Sequence, residues 1–254
     1  WLSLITFVSY DHSDIFATAA EYQDAFLKFE SQSEYLIFGP HANLHHAELL
    51  ADKHPDVVLM SAKELMLPGE ARRLDATLAI KAVQRILESL GREVNYAEII
   101  EEINQFPGVG RRFERLADGL YSDYAHHPEE IRATVEIAKE EAKNLGKNGV
   151  VVVYQPHQNI RQHEFFDEYR DIFHGIKKLY WLPTYLSRED PKLKILTPSD
   201  FLRSLDNPEI GTADKLDDAL FAKLRQDLTD NYLVILMSAG DADPWLRQKF
   251  LWYN

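Results

Sequence analysis

The chain has 254 residues, 45% of them hydrophobic and 27% charged, with a formal net charge of −13 and no cysteine. That length holds one large core or two modest ones, and two are expected; the acidic balance excludes a protein that neutralises nucleic-acid phosphates over a broad basic face, while leaving room for a local anion site. The absence of cysteine rules out disulfides, thiolate nucleophiles and thiolate metal sites, so any metal must sit on His, Asp or Glu and a reducing cytoplasm is the expected compartment, and no apolar run nears the roughly 20 residues of a membrane span.

Residues 1–8 read as an apolar strand with no polar lead-in and no charged-then-apolar leader, so the chain is expected to continue a sheet begun upstream. Ser13 or Asp14 is placed to cap a helix carrying Phe16, Ala19, Ala20, Phe26 and Leu27 at helical spacing. A strand at 35–38, a short helix at 44–53 and a strand at 57–60 follow. A long helix over 70–90 carries Ile80, Val83, Leu87 and Leu90 on one face, and Gly91 ends it. A helix over 96–105 stops at Phe106-Pro107-Gly108, a turn signal read as the hinge between domains 1–108 and 109–254.

Beyond the hinge the pattern alternates: strand 119–124, helix 129–145, strand 150–154, helix 161–174, strand 177–182, a helix over 214–228, strand 232–237 and a terminal helix. Such alternation predicts a mostly parallel α/β sheet covered on both faces. Val150-Val151-Val152-Val153 has the composition of a doubly buried strand, and Ile131, Val135, Ala138, Ala142 and Leu145 form one helical stripe. Pro128 suits the first turn of that helix, where Glu129 and Glu130 complement the dipole.

Two stretches concentrate chemistry where an apolar strand runs out: SDYAHHPEEI at 122–131 and YQPHQNIR at 154–161. Open α/β sheets hold ligands at strand carboxyl ends. In the first, Asp123, Tyr124, His126 and His127 and the free N–H groups of the next helix can face one ligand, or one histidine is a cap and the other a surface residue. In the second, Gln155, His157 and Arg161 can hold a carboxylate or a phosphoryl charge, or form an ordinary polar loop. Placed at neighbouring strand ends, the two loops are expected to share a site.

FPGVGRRFE at 106–114 sets Arg111 and Arg112 beside a flexible Gly108/Gly110 turn; it lacks the third glycine of a dinucleotide fingerprint, so the arginines are either solvated charge or phosphate contacts. Asp11, His12 and Asp14 can bind a hard cation or start a capped helix. His41, His45, His46 and Glu48 have helical metal spacing without a fourth element to fix a geometry and are read as surface residues. No GxSxG elbow supports nucleophilic Ser-His-Asp chemistry.

FPGVGRRFE, SDYAHHPEEI and YQPHQNIR occur in the order and spacing of the Mur ligases, which the chain resembles. SYDHSDIF at 9–16, LMLPGEARRLDATLAI at 65–80 and Ser238-Ala239-Gly240-Asp241 extend the likeness over nearly the whole length. The resemblance implies an α/β fold: a partial Mur-ligase central domain, its P-loop absent, followed by a Rossmann-like, mostly parallel C-terminal domain. No GxxxxGK[ST] occurs in the sequence, so an N-terminal region with the P-loop and the UDP-sugar domain is implied as the missing partner.

The implied activity is ATP-dependent, ADP-forming ligation of L-alanine to UDP-N-acetylmuramate in peptidoglycan precursor synthesis, with ATP and Mg2+ as cofactors and neither nucleic acid nor membrane insertion involved. A murein-tripeptide recycling ligase and a non-catalytic Mur-like binding protein are the alternatives. By the same likeness His12 binds the metal, Tyr124, His126, His157 and Arg161 surround the amino acid with His126 and Arg161 catalytic, and Arg111 and Arg112 line an interdomain cleft. Arg72, Asp75 and Asp123 fall on the nucleotide side, although Ala71, Arg72 and Asp75 replace the common His-Asn and Asn. Gln158 replaces a frequent arginine, and Phe7 and Ser9 stand where Asn and Glu are usual.

Overall fold

The structure, a computed structural model, describes residues 1–10, 15–39 and 63–251. The chain separates into two compact units, Trp1–Phe106 and Pro107–Asn254.

In the first unit, β1 (Leu2–Ile5) pairs in parallel with β2 (Tyr35–Phe38), joined through α1 (Ala19–Ser31). Helix α1 begins later than the sequence predicts: Thr18 caps it, its hydroxyl accepting from Glu21 N–H at 3.2 Å, while Ser13 and Asp14 lie outside the described residues. The expected elements at 44–53 and 57–60 also lie outside them. Helix α2 (Glu70–Ser89) and helix α3 (Tyr96–Asn104) fall where their periodicity places them, with Gly91 at φ 64° after α2. The unit's apolar contacts form three small clusters, centred on Ile5 and Leu36, on Ile37 and Leu78, and on Leu65 and Ile80.

In the second unit, six strands run β3 (Glu114–Ala117), β4 (Leu120–Asp123), β8 (Leu233–Ser238), β5 (Val150–Gln155), β6 (Lys178–Trp181) and β7 (Gly211–Ala213) across one sheet. All neighbours are parallel except β3 and β4. The side-chain period of two divides each central strand between two cores. Val150, Val152 and Tyr154 join Ile131, Val135 and Ala138 of α4 (Pro128–Asn144) on one face. Val151 and Val153 join Leu220 and Leu224 of α7 (Asp218–Thr229), with Ala242 and Leu246 of α8 (Ala242–Leu251), on the other. Each fully buried Val or Leu adds on the order of 1.5–3 kcal/mol, which is why a doubly covered strand is so apolar.

Three departures from the sequence reading bear on the site. The helix expected over 161–174 is short: α5 (Asn159–Glu164) gives way to a 3-10 turn at Phe166–Arg170. There Tyr169 turns inward against Trp181 and against Phe201 of α6 (Pro198–Leu202), with ring centroids 5.6 and 5.2 Å away, and burying those rings outweighs continuing the helix. The short strands β3 and β7 have too little periodicity to be read from sequence. Finally, the ends of β4 and β5 are not neighbours, because the β4–α4–β5 crossover skips one position that β8 fills. Since α4 leaves toward one face and α8 lies on the other, the carboxyl ends of β4, β8 and β5 border a switch in strand order, where such sheets open a crevice.

Candidate functional site

Asp123 ends β4 and is buried. Its Oδ2 accepts from Phe113 N–H and its Oδ1 from Ala125 N–H, each at 2.7 Å. Burial raises its carboxyl above the usual value against the pull of those two donors. Both oxygens thus brace the loop.

The next residues lay out a row of rings. Tyr124 lies beneath the guanidinium carbons of Arg111 and Arg112, 4.7 and 5.3 Å from its centroid, and meets the edge of His126 at 5.3 Å. His126 in turn meets His157 at 5.6 Å, and His157 stacks on Tyr185 at 5.8 Å with an interplanar angle of 11°. The two histidine loops therefore converge across the end of β8. Next to them His127 is buried at the start of α4 with its ring against Phe165 at 4.7 Å, which makes it the capping and packing member of the pair.

Glu130, one turn into α4, gathers this loop. Its Oε2 accepts from the backbone N–H groups of His126 and His127 at 3.1 and 3.4 Å and lies 3.2 Å from His126 Nδ1, while Oε1 is 3.6 Å from Arg112. Burial alone would raise its carboxyl, but the bond to His126, that ring's charge and the two N–H donors together bring it down to about 2. His157 is shifted the other way for a base. Burial first, and then the positive charge of His126, Arg161 and Arg188, lowers it to about 4, so it is neutral near pH 7.

The second loop is built from distant partners. Gln155 at the end of β5 donates to Asp241 Oδ1 at 2.6 Å and accepts from Ser238 Oγ at 2.7 Å and Ala242 N–H at 3.1 Å, tying β5 to the β8–α8 turn. Gln158 holds a φ of 66°, a left-handed value uncommon outside glycine, and its N–H donates to the Tyr185 carbonyl at 3.1 Å. Asn159, 1% exposed, accepts from Leu196 N–H at 2.8 Å and donates to the Lys194 carbonyl at 3.1 Å; its own N–H donates to Glu189 at 2.9 Å. Gly240 must be glycine, because a Cβ there would stand 2.6 Å from Tyr185 Cγ and 2.7 Å from Gln155 Oε1.

Arg161 is 6% exposed. Its charge lowers His157 and draws on the hydroxyls of Tyr154 and Tyr169, although burial holds both phenols above their ordinary value. It is a buried source of positive charge close enough to act on His157 and both tyrosines. Arg111 is anchored within the second unit: Nη2 donates to the Ser238 carbonyl at 2.6 Å and Nε is 3.6 Å from the buried Asp243. Arg112 is the open one of the pair, its side chain 54% exposed.

Arg72 and Asp75 sit on α2 in the first unit, Arg72 half-buried and Asp75 exposed. His12, with Asp11, Asp14, His41, His45, His46 and Glu48, lies outside the described residues. Among the described residues no group of three or more His, Cys, Asp or Glu side chains could hold a metal ion. Nor is any described helix long and apolar enough to cross a membrane.

Sequence reasoning passed over Tyr185, Asn159 and the anchoring role of Glu130. Only Glu130 left a signal, four residues after His126 at the start of a helix.

No protein-family model matches the chain. Among curated proteins it is similar to a UDP-N-acetylmuramate–L-alanine ligase of Campylobacter curvus, 35% identical over 127 residues, covering 48% of this chain and 28% of that protein. It is also similar to the protein of that name from Campylobacter jejuni, 31% identical over 180 residues, covering 69% of this chain and 39% of the relative. The chain thus spans well under half the length of these relatives.

Among solved structures, Mycobacterium tuberculosis folylpolyglutamate synthase complexed with ADP superposes at a TM-score of 0.61 and 16% identity, over 98% of this chain and 63% of that one. The UDP-N-acetylmuramoylalanyl-D-glutamyl-2,6-diaminopimelate–D-alanyl-D-alanyl ligase of Acinetobacter baumannii gives 0.62 and 14%, over 100% and 58%. At those identities the structures show the fold alone. The resemblance to the Mur ligases holds in sequence, and the α/β architecture is that of Mur ligase and folylpolyglutamate synthase structures.

Proposed function

We propose that this chain is part of an ATP-dependent, ADP-forming ligase that joins L-alanine to UDP-N-acetylmuramate in peptidoglycan precursor synthesis. In this reading residues 109–254 are the C-terminal ligase domain, residues 1–108 belong to the central ATPase domain, and a preceding region supplies the P-loop and the UDP-sugar site. The curated relatives support it by name. The observation that carries it is the meeting of His126 and His157 above the end of β8, with the buried charge of Arg161 close enough to lower His157.

Each group has a task in that reading. Arg161 supplies the field that favours a carboxylate in the crevice, and its planar fork suits bidentate contact. Neutral His157 offers a hydrogen bond without a second cation, and its stacking on Tyr185 fixes the ring plane. Tyr124, held by two guanidinium groups, forms the wall on the other side. Arg112 is exposed enough to meet a phosphate. ATP with Mg2+ would supply the phosphoryl group that activates the muramoyl carboxylate. Arg72, Asp75 and His12 are the residues assigned to ATP and Mg2+ by resemblance; among the described residues no cluster of His, Asp or Glu fits a cation.

The test joins the chain to its N-terminal region and assays ADP release with L-alanine and with the murein tripeptide. Arg161→Lys keeps the charge but loses the fork. It is expected to raise the KM for L-alanine roughly tenfold or more with little change in the KM for ATP. Equal effects on both constants, or turnover with the tripeptide alone, would reject this reading.

A further inference from the structure

His126 places Nδ1 between two acceptors, the Tyr124 carbonyl oxygen at 3.0 Å and Glu130 Oε2 at 3.2 Å. An imidazole nitrogen that faces only acceptors must carry hydrogen, so the neutral ring is the Nδ1–H tautomer and the lone pair sits on Nε2. The side chain keeps 15% exposure and its ring meets His157 edge-on. Glu130 is itself fixed, through the N–H groups of His126 and His127 and the nearby Arg112. A carboxylate so anchored orients the ring it touches.

We propose that Glu130 is a positioning residue for proton transfer: with the Tyr124 carbonyl it locks His126 as the Nδ1–H tautomer, so that Nε2 takes a proton from the ammonium group of an incoming amino acid. The identity of that amine rests on the ligase reading. One N–H bond of the ammonium breaks, its electron pair stays on the amine nitrogen as the nucleophilic lone pair, and an Nε2–H bond forms. The resulting imidazolium shares its Nδ1 proton with the Glu130 carboxylate and later releases the Nε2 proton to water. The other groups around the ring are Tyr124, His157 and, beyond Glu130, Arg112; His157 is neutral and adds no competing cation.

The experiment reads the tautomer directly, by two-bond proton–nitrogen correlation of the 15N-labelled chain at about pH 9, where imidazoles are neutral. His126 is expected to show the Nδ1–H pattern. His163 is the internal control: its Nε2 faces the Lys194 carbonyl at 2.8 Å and should show the opposite tautomer. Glu130→Ala is expected to mix the tautomers of His126 and speed exchange of its ring proton with water by roughly tenfold, the weight of one hydrogen bond. Glu130→Gln, whose amide oxygen can take the place of Oε2, should restore the fixed pattern, with His163 unchanged in both variants.

An Nε2–H pattern at His126 in the unsubstituted chain overturns the proposal. So does a His126 pattern unmoved by Glu130→Ala in a chain whose His163 signal and backbone amide spectrum are intact. Should Glu130→Ala fail to fold, the unsubstituted chain and Glu130→Gln decide, since both must show Nδ1–H. No substrate is present in this measurement, so a failed ligase assay leaves the positioning claim intact, and a wrong tautomer leaves the ligase reading intact.

Discussion

In the loop after β4, the polar side chains find their partners close in sequence: Asp123 bonds Phe113 and Ala125, and His126 meets Glu130 four residues on. In the loop after β5, the partners are remote: Gln155 bonds Ser238, Asp241 and Ala242, Asn159 bonds Lys194 and Leu196, and His157 stacks on Tyr185. Both loops bring a histidine to the carboxyl end of β8. The first takes its carboxylate hydrogen bonds from nearby residues, whereas the second is tied to residues 183–197 and the β8–α8 turn. The histidines differ accordingly, one beside a carboxylate and one held neutral.

The largest effect should come from cutting the second loop's remote tie. Asn159→Ala leaves the Leu196 N–H without its partner and takes one of two from the Lys194 carbonyl, which keeps His163 at 2.8 Å; it is expected to cost about 1–3 kcal/mol in urea denaturation, with faster hydrogen exchange at Leu196. A cost near zero would mean that the loop holds itself, and the contrast with the first loop would disappear.

The two loops should also separate by pH. His157 falls from an ordinary 6.5 to about 4 on folding, so the unfolded ring takes up a proton that the folded ring refuses. Its stabilising contribution is complete above pH 6.5 and is lost as pH drops toward 4; screening of a partly exposed ring limits it to roughly 1–2 kcal/mol. Glu130, lowered from 4.5 to about 2, contributes above pH 4.5 and loses its contribution as pH drops toward 2. Denaturation across pH should therefore show His157→Gln flattening the upper window and Glu130→Gln the lower one. Slopes that change together would show the two loops acting as one titrating unit.

The smallest effect sharpens the comparison from the surface. Arg112 is more than half exposed and 3.6 Å from Glu130, so Arg112→Ala should change stability by no more than about 0.5 kcal/mol. A larger loss would mean that Arg112, and not Glu130 alone, anchors the first loop.

These contrasts also explain what could be read before the fold was known. The buried strand of four valines, the stripe along α4 and the place of the first loop follow from local rules: a period of two, a period of 3.6, and a proline with glutamates at a helix start. The end of α5 after Glu164 was not legible, because it depends on Tyr169 finding Trp181 and Phe201. Tyr185 left no signal either, since its role comes from lying against His157 and beside Gly240.

By itself, the sequence determined which strand ends would carry histidines, that the C-terminal sheet would be mostly parallel with both faces covered, and which family the motifs resemble. Tertiary structure alone decided that β8 would slot between β4 and β5, that Arg161 would be buried, and that Asp123 would brace its loop. The physical reason is range. Periodicity, capping and turn chemistry act over a few residues, whereas strand order, burial and the partner of a buried amide are set by contacts between segments tens of residues apart.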